Sequence, residues 1–383
     1  MTPDTNWNAL LAGRMANIDG SGVRRMFDLI RTMDDPINLS IGQADYDPPE
    51  EVKEAACAAI RGNLNRYSVT EGRPALNGLI VEWLEQTFGA RPDGLFSTSG
   101  VSGGLLLAHL ALINAGDEVL LSDPSFVIYK NLLECVEAKA RYYNLYPTDG
   151  GRAWHPDFDQ VASLVNDRTK AIVLNSPSNP TGGVLDEGEL AAFRAIAERH
   201  GLWLFADEIY SHFAYDAPFS SMITHMADWE RTMVFGGFSK TYGVPGWRLG
   251  WVAGPGPILE RMKAVQQYTF VCPPTPLQHG AMAALSVDMT AKRDEYRKKR
   301  DRVAEELSKC YELTPSEGSF YAFPAYPRGF DEESFIGACL ERKLLVVPGS
   351  SFSRQATHFR LSFAVSDEML DRGIDVLREI AGG

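Results

Sequence analysis

No stretch of this 383-residue sequence is apolar for long enough to span a bilayer. The start, MTPDTNWNAL, lacks the basic segment, apolar core and small-residue cleavage site of an export signal, so a cytoplasmic location and no membrane partner are expected. Metal-ligand spacing is missing too. The five cysteines, Cys57, Cys135, Cys272, Cys310 and Cys339, are far apart and odd in number, and read as reduced, mostly buried thiols. The seven histidines are scattered; His109, inside the apolar run LLLAHLAL, reads as a core or pocket-wall residue, and no metal site is expected. There is no internal repeat, no low-complexity tract and no acidic tail, so the net charge of −13 means solubility and argues against a nucleic-acid partner.

What remains is an ordinary globular composition, 45% hydrophobic and 23% charged, on a chain longer than one typical domain. Apolar residues at helical spacing over 20–33 predict an amphipathic arm, followed by the short extended run INLSIG. A helix opens near Pro49 with two acidic residues in its first turn and runs to about Arg61. The polar connection NLNRYSVTEGR leads to a second helix ending near Phe88.

Beyond residue 90 strands and helices alternate: LFSTSG, VSGGLLLAHLALINAG, DEVLLSD, FVIYKNLLECV, ARYYNLY, HPDFDQVASLV, KAIVLN, DEGELAAFRAIAERHG and LWLFAD. Such repetition predicts an α/β fold with a mostly parallel sheet flanked by helices, and ligands at the carboxyl ends of its strands. A long helical region over about 257–309 leads into SFYAFP, LLVVPG and FRLSFA, short strands alternating with two helices. The expected division is an arm and part of a small domain over 1–48, a large domain over 49–285, and a C-terminal α+β small domain over 286–383.

The stretch RTMVFGGFSKTYGVPGWRLGW holds one lysine in unusual company. An apolar run, 232–235, delivers the chain to two glycines, Ser239 and Lys240, and eight residues later Arg248 opens another apolar run. Flanked by Phe238, Tyr242 and Trp247, the Lys240 amine is expected to be partly desolvated, which lowers its pKa and frees its lone pair for carbonyl attack. Arg248 offers a planar fork suited to a phosphate. A lysine with a phosphate clamp suggests pyridoxal phosphate; a surface lysine and arginine on a glycine-rich loop would carry the same dipeptide.

Other strand ends carry polar clusters. Gly100-Val101-Ser102-Gly103-Gly104 starts a helix, where free N–H groups and the Ser102 hydroxyl can bind phosphate, although packing also explains such glycines. DPSF brings Phe126 to where an aromatic face could stack on a flat ring. SPSNPTG places Asn179, a donor to a phenolate or carboxylate oxygen, on an irregular loop. Asp207 emerges from the apolar LWLFAD, and its carboxylate needs a buried partner such as a protonated pyridine nitrogen.

SPSNPTG, ADEIY, FSKTYGVPGWRLGW and FRLSFA, in that order and spacing, resemble the pyridoxal-phosphate aminotransferases of class I and II, fold type I, over essentially the whole chain. By that resemblance Lys240 is the Schiff-base lysine and proton shuttle, and Asp207 holds the pyridinium proton. Asn179 and Tyr210 bond the phenolate oxygen, Phe126 stacks on the ring, and Gly100, Val101, Ser102, Ser239 and Arg248 belong to the cofactor site. Arg360, with Asn179 and the Gly42 backbone, grips the substrate α-carboxylate. Tyr67 reaches the phosphate of the other subunit, implying a homodimer with shared active sites.

The pattern departs from the family in places. Gly237 stands where many members carry serine, the Gly103-Gly104 pair is unusually open, and YTFVCPPT over 268–275 contains no arginine for a distal carboxylate, so aspartate specificity loses support. The expected activity is amino-group transfer from an L-amino acid to a 2-oxo acid. Carbon–sulfur β-elimination, or cyclisation by elimination, would use the same cofactor. A regulatory domain on this fold would have a fused DNA-binding helix pair or would lack the lysine, and the sequence keeps Lys240.

Overall fold

The strand–helix alternation read from residue 90 onward builds one seven-stranded sheet. The structure, a computed structural model, describes residues 7–18, 30–147 and 152–382. Most of the amphipathic arm expected over 20–33 lies outside the described residues. After β1 (Ile37–Asn38) come α1 (Glu50–Arg61), α2 (Pro74–Phe88), β2 (Gly94–Thr98), α3 (Gly100–Leu112), β3 (Glu118–Asp123), α4 (Val127–Cys135), β4 (Lys139–Asn144), α5 (Phe158–Ser163) and β5 (Thr169–Asn175). Then follow α6 (Glu187–His200), β6 (Trp203–Asp207), β7 (Thr232–Gly237), β8 (Gly250–Gly254), α7 (Gly256–Thr269), α8 (Thr275–Ala284) and α9 (Thr290–Leu307). The chain ends with β9 (Tyr321–Ala322), α10 (Glu332–Glu341), β10 (Leu344–Leu345), β11 (Val347–Pro348), β12 (Phe359–Ser362) and α11 (Asp367–Ile380).

The large sheet has the order β2-β8-β7-β6-β5-β3-β4. Only β8 runs against its neighbours; the other pairs are parallel. Alternation along the strands feeds two separate cores, because successive side chains point to opposite faces. In β5, Ile172 and Leu174 enter a cluster with Leu190 and Phe193 of α6, while Ala171 and Val173 enter one with Leu105 of α3 and Met262 of α7. Both faces are therefore covered by helices, as an apolar parallel sheet requires.

Local chemistry sets the helix ends. Asp186 and Glu189 form a reciprocal capping box at the start of α6, and Gly201 closes it in the left-handed conformation at φ 66°. Helix α5 is shorter than HPDFDQVASLV suggests. The Asp157 carboxylate accepts from the backbone of Asp159 and Gln160 and starts the helix at Phe158, so His155 stays outside it. The single helical region expected over 257–309 is three helices; Pro273 and Pro274 supply no N–H to continue the first, and Val271 turns at φ 67°.

The C-terminal part holds a second sheet of order β11-β12-β9, antiparallel throughout, while β1 pairs in parallel with β10. LLVVPG is not one strand: its first half pairs with Ile37–Asn38 and its second half with β12. The thiols also differ from expectation. Cys339 alone is buried, Cys57, Cys272 and Cys310 are partly covered, and Cys135 is exposed. Small thiols tolerate water, and nothing pairs them.

Gly236 in β7 sits opposite Trp251 in β8, and a Cβ there would overlap the indole ring. Gly236→Ala is expected to destabilise the protein by about 1–3 kcal/mol through overpacking, and Trp251→Val in the same chain should recover part of it. Urea unfolding of the wild type and the two variants checks this; an unchanged midpoint for Gly236→Ala would contradict the packing described.

Candidate active site

A cavity of about 260 Å³ opens where the strand ends of the large sheet meet β12 and the segment after β1. Its lining includes Gly42, Val101, Ser102, Phe126, Asn179, Asp207, Tyr210, Ser239, Lys240, Arg248 and Arg360, residues drawn from nearly the whole length of the chain. Gly100 lies just behind this wall, with φ 70° and its Cα hydrogen edge facing the Arg248 guanidinium: a Cβ would stand 2.8 Å from Nη2. Glycine is needed there both for the backbone angle and for the close approach. Tyr67 is elsewhere, 84% exposed on the surface of this chain.

Lys240 follows β7, and its Nζ donates to the Gly42 carbonyl at 2.7 Å while lying 5.8 Å from the centre of the Tyr210 ring. Burial lowers its pKa to about 8, helped by the positive charges of Arg360 and Arg248. At neutral pH more of this amine is in its free, nucleophilic form than in an ordinary lysine. The aromatic neighbours in sequence are not the cause. Phe238 and Tyr242 pack on each other at 6.0 Å and face a larger cavity of about 670 Å³ behind the turn, which contains none of Lys240, Asp207, Arg248 and Arg360. Trp247 packs against Gly280.

Asp207 ends β6, 4% exposed. Its Oδ2 accepts from the Tyr129 hydroxyl at 2.8 Å and its Oδ1 from the Ile209 amide at 3.2 Å. Burial raises its pKa to about 6, against the lowering effect of those two bonds. Tyr129 is fully buried and its own pKa is pushed well up, first by burial and then by Asp207. Arg360, in the same lining and 1% exposed, donates Nη1 to Asn179 Oδ1 at 2.9 Å and Nη2 to the Ser40 carbonyl at 2.8 Å. Its guanidinium carbon lies 4.3 Å from the Tyr321 ring centre and 4.8 Å from that of Phe352, and its Nε has no hydrogen-bond partner among the described residues. Tyr321 and Tyr210 share a hydroxyl contact of 2.9 Å, and a Cβ on Gly42 would overlap the Tyr321 hydroxyl.

The Gly103-Gly104 pair is not open. A Cβ on Gly104 would stand 3.2 Å from Phe235, so this glycine lets α3 pack closely on β7, and one on Gly103 would stand 3.1 Å from Ser99 and 3.5 Å from Phe270. His109 is a core residue, bonded through Nδ1 to the Leu105 carbonyl at 2.7 Å and brought down to about 4 by burial. Among the described residues no cluster of side chains could hold a metal ion. Sequence reading missed Tyr129, Tyr321 and Phe352. Tyr129 carried the only local signal, one helical turn beyond Phe126.

Tyr129→Phe removes a bond that opposes the effect of burial on Asp207. The Asp207 carboxyl should then take up its proton at higher pH than in the wild type. Infrared difference spectra against an Asp207→Asn control follow that titration directly; an unmoved titration would show that the hydroxyl has no influence on the carboxylate.

The model of the aminotransferase class I and II family matches residues 34–377. A probable aspartate aminotransferase of Methanocaldococcus jannaschii is 33% identical, covering 97% of this chain and 100% of its own. Aromatic-amino-acid aminotransferase 2 of Thermococcus litoralis is 30% identical over 97% of this chain and 98% of its own. The crystal structure of an aromatic aminotransferase from Pyrococcus horikoshii superposes with a TM-score of 0.86 at 32% identity, covering 93% of this chain and 98% of that one. With matches of this length and identity, the chain belongs to the class I and II aminotransferases and is an enzyme that transfers amino groups.

Proposed function

We propose that the enzyme moves an amino group between an L-amino acid and a 2-oxo acid with pyridoxal 5′-phosphate held in the 260 Å³ cavity. The observation that carries the reading is a lysine amine brought down to about 8 that faces, in one cavity, a buried carboxylate and a buried guanidinium with an unpartnered Nε. The donor set suits the cofactor. Arg248 against the start of α3, with the Ser102 and Ser239 hydroxyls, would hold a phosphate; Asp207 would meet a ring nitrogen; Asn179 and Tyr210 would meet a ring hydroxyl; and Phe126 would cover a ring face. When bound, the cofactor supplies an electron-withdrawing ring that stabilises negative charge at the substrate α-carbon.

The protein's own part follows from its side chains. Arg360 and Asn179 receive the α-carboxylate, with the Gly42 carbonyl beside it, and so fix which face of the α-carbon Lys240 meets. Lys240, with its depressed pKa, takes and returns the α-proton at neutral pH. Asp207, held ionised by Tyr129 and the Ile209 amide, keeps a ring nitrogen protonated. Residues 268–275 bring no cation, and the reading favours an amino donor without a second carboxylate.

The same reading divides the chain into a cofactor-binding unit over 49–285 and a smaller unit from 1–48 with 286–383, supported by the pairing of β1 with β10. It also calls for a homodimer. Tyr67, Val69, Tyr268 and Val271 expose apolar surface, and the strands of chain that carry them are tied together by Gln266 to the Thr70 carbonyl and Gln278 to Ser68. A second copy would cover this face and receive Tyr67 at its phosphate site. No helix among the described residues is long and apolar enough to cross a membrane.

Borohydride reduction of the enzyme with pyridoxal phosphate should attach the cofactor irreversibly to Lys240, located by peptide mapping. Lys240→Ala should lower amino transfer by at least about a thousandfold, within the range for loss of a positioned proton-transfer group, while circular dichroism stays unchanged. Label on a different lysine would sink the assignment.

A further inference from the structure

His155 lies outside the cavity, yet it bonds Glu189 and Glu317, and Glu317 is tied to segments that carry the cavity-lining residues Asn179 and Tyr321. The residue is 8% exposed, with Nδ1 2.7 Å from Glu189 Oε1 and Nε2 3.0 Å from Glu317 Oε2. A neutral imidazole has a single N–H and would turn a lone pair toward one of these carboxylates. Only the imidazolium donates to both. Burial alone would lower its pKa, but the bonds to Glu189 and Glu317 and their charges raise it to about 9. Burial would raise Glu317, but the bonds from His155, the Val184 amide and Arg152 bring it down to about 2.

Two connections run from this clamp to the substrate side of the cavity. Glu317 Oε2 also accepts from the Val184 amide at 3.0 Å, and the Glu317 and Gly318 amides donate to the Gly182 carbonyl at 3.0 and 2.8 Å. Gly182 and Gly183 close a turn with Ser178, in which Asn179 is the next residue. In the other direction, Glu317 lies four residues before Tyr321, whose ring packs on the Arg360 guanidinium. Asn179 and Tyr321 are two of the groups that hold Arg360, and both stand on segments joined at Glu317.

We propose that His155, as an imidazolium clamped between Glu189 and Glu317, is a positioning residue for carboxylate binding by Arg360. The inference rests on the reading that Arg360 receives the substrate carboxylate. The other charged groups in the cluster are Arg152, which bonds Glu317 at 2.6 Å and Asp186 at 3.2 Å, and Asp186 itself at the start of α6. Three carboxylates thus share Arg152 and the His155 proton. Because the folded pKa of His155 lies above its ordinary value of 6.5, its contribution to folding stability is complete below about pH 6.5, and the clamp within the folded protein is lost as pH rises through about 9. Loss of the proton leaves Glu189 and Glu317 facing a neutral ring that can donate to only one of them.

The test is the affinity of the holoenzyme for propanoate, an unreactive carboxylate, measured by calorimetric titration at pH 7.5 and 10.5 in the wild type, His155→Gln, Glu317→Gln and Arg360→Lys. At pH 7.5 both His155→Gln and Glu317→Gln should bind about tenfold more weakly than the wild type. At pH 10.5 the ratio of wild type to His155→Gln should fall toward one, since the wild type has then lost the proton too; groups at the cavity that titrate between the two pH values do so in both proteins and cancel in the ratio. Should His155→Gln not fold, His155→Asn carries the comparison at both pH values. A ratio near one at pH 7.5, or a tenfold ratio that persists unchanged at pH 10.5, overturns the inference. Propanoate binding that Arg360→Lys fails to weaken removes the carboxylate site and the inference with it, whereas binding weakened by Arg360→Lys and untouched by the other variants overturns the inference alone.

Discussion

A guanidinium that is 1% exposed and forms no ion pair among the described residues is the constraint on which the rest of this site depends. Moving a charge out of water without an opposite charge costs several kcal/mol, offset here only by two neutral acceptors and two aromatic faces. Nε of Arg360 has no hydrogen-bond partner among the described residues. The charge also acts on its surroundings, since it helps to hold down the pKa of Lys240 across the cavity. A site with Arg360, Arg248 and Lys240 on its walls against Asp207 alone is built to receive anions.

The fold makes this arrangement possible by meeting two requirements with two sheets. The large sheet buries its strands on both faces, and Asp207 and Lys240 emerge at its carboxyl ends. The smaller sheet brings Arg360 in on its middle strand, β12, held between β11 and β9. Asn179, on a loop of the first sheet, bonds Arg360, on a strand of the second, and Lys240 bonds Gly42 beyond β1. Hydrogen bonds across the join therefore involve the same groups that would meet substrate, and displacement of one sheet against the other would change the site directly.

Much of this was legible in the sequence because the chemistry sits where the periodicity changes. Asp207 follows an apolar strand, Asn179 and Lys240 follow others, and the four linked motifs gave their order. The groups that tune them were not legible, because their partners are distant in sequence. Tyr129 meets Asp207 across 78 residues and Tyr210 meets Tyr321 across 111, and neither tyrosine pair forms a local pattern. Local reading also misled at Phe238 and Tyr242, which flank Lys240 in sequence yet face the other cavity. LLVVPG reads as one strand because its apolar run is continuous; the structure divides it because two different strands need partners.

The most direct measurement is steady-state kinetics of Arg360→Lys with an amino acid and with the corresponding amine lacking the α-carboxylate. An ammonium keeps the charge but loses the planar fork that meets a carboxylate with two bonds. The account predicts that the variant retains its cofactor and that kcat/KM for the amino acid falls by at least about a hundredfold, on the order of 3 kcal/mol of transition-state stabilisation, with little change for the amine. Equal losses for both substrates would contradict carboxylate recognition by Arg360.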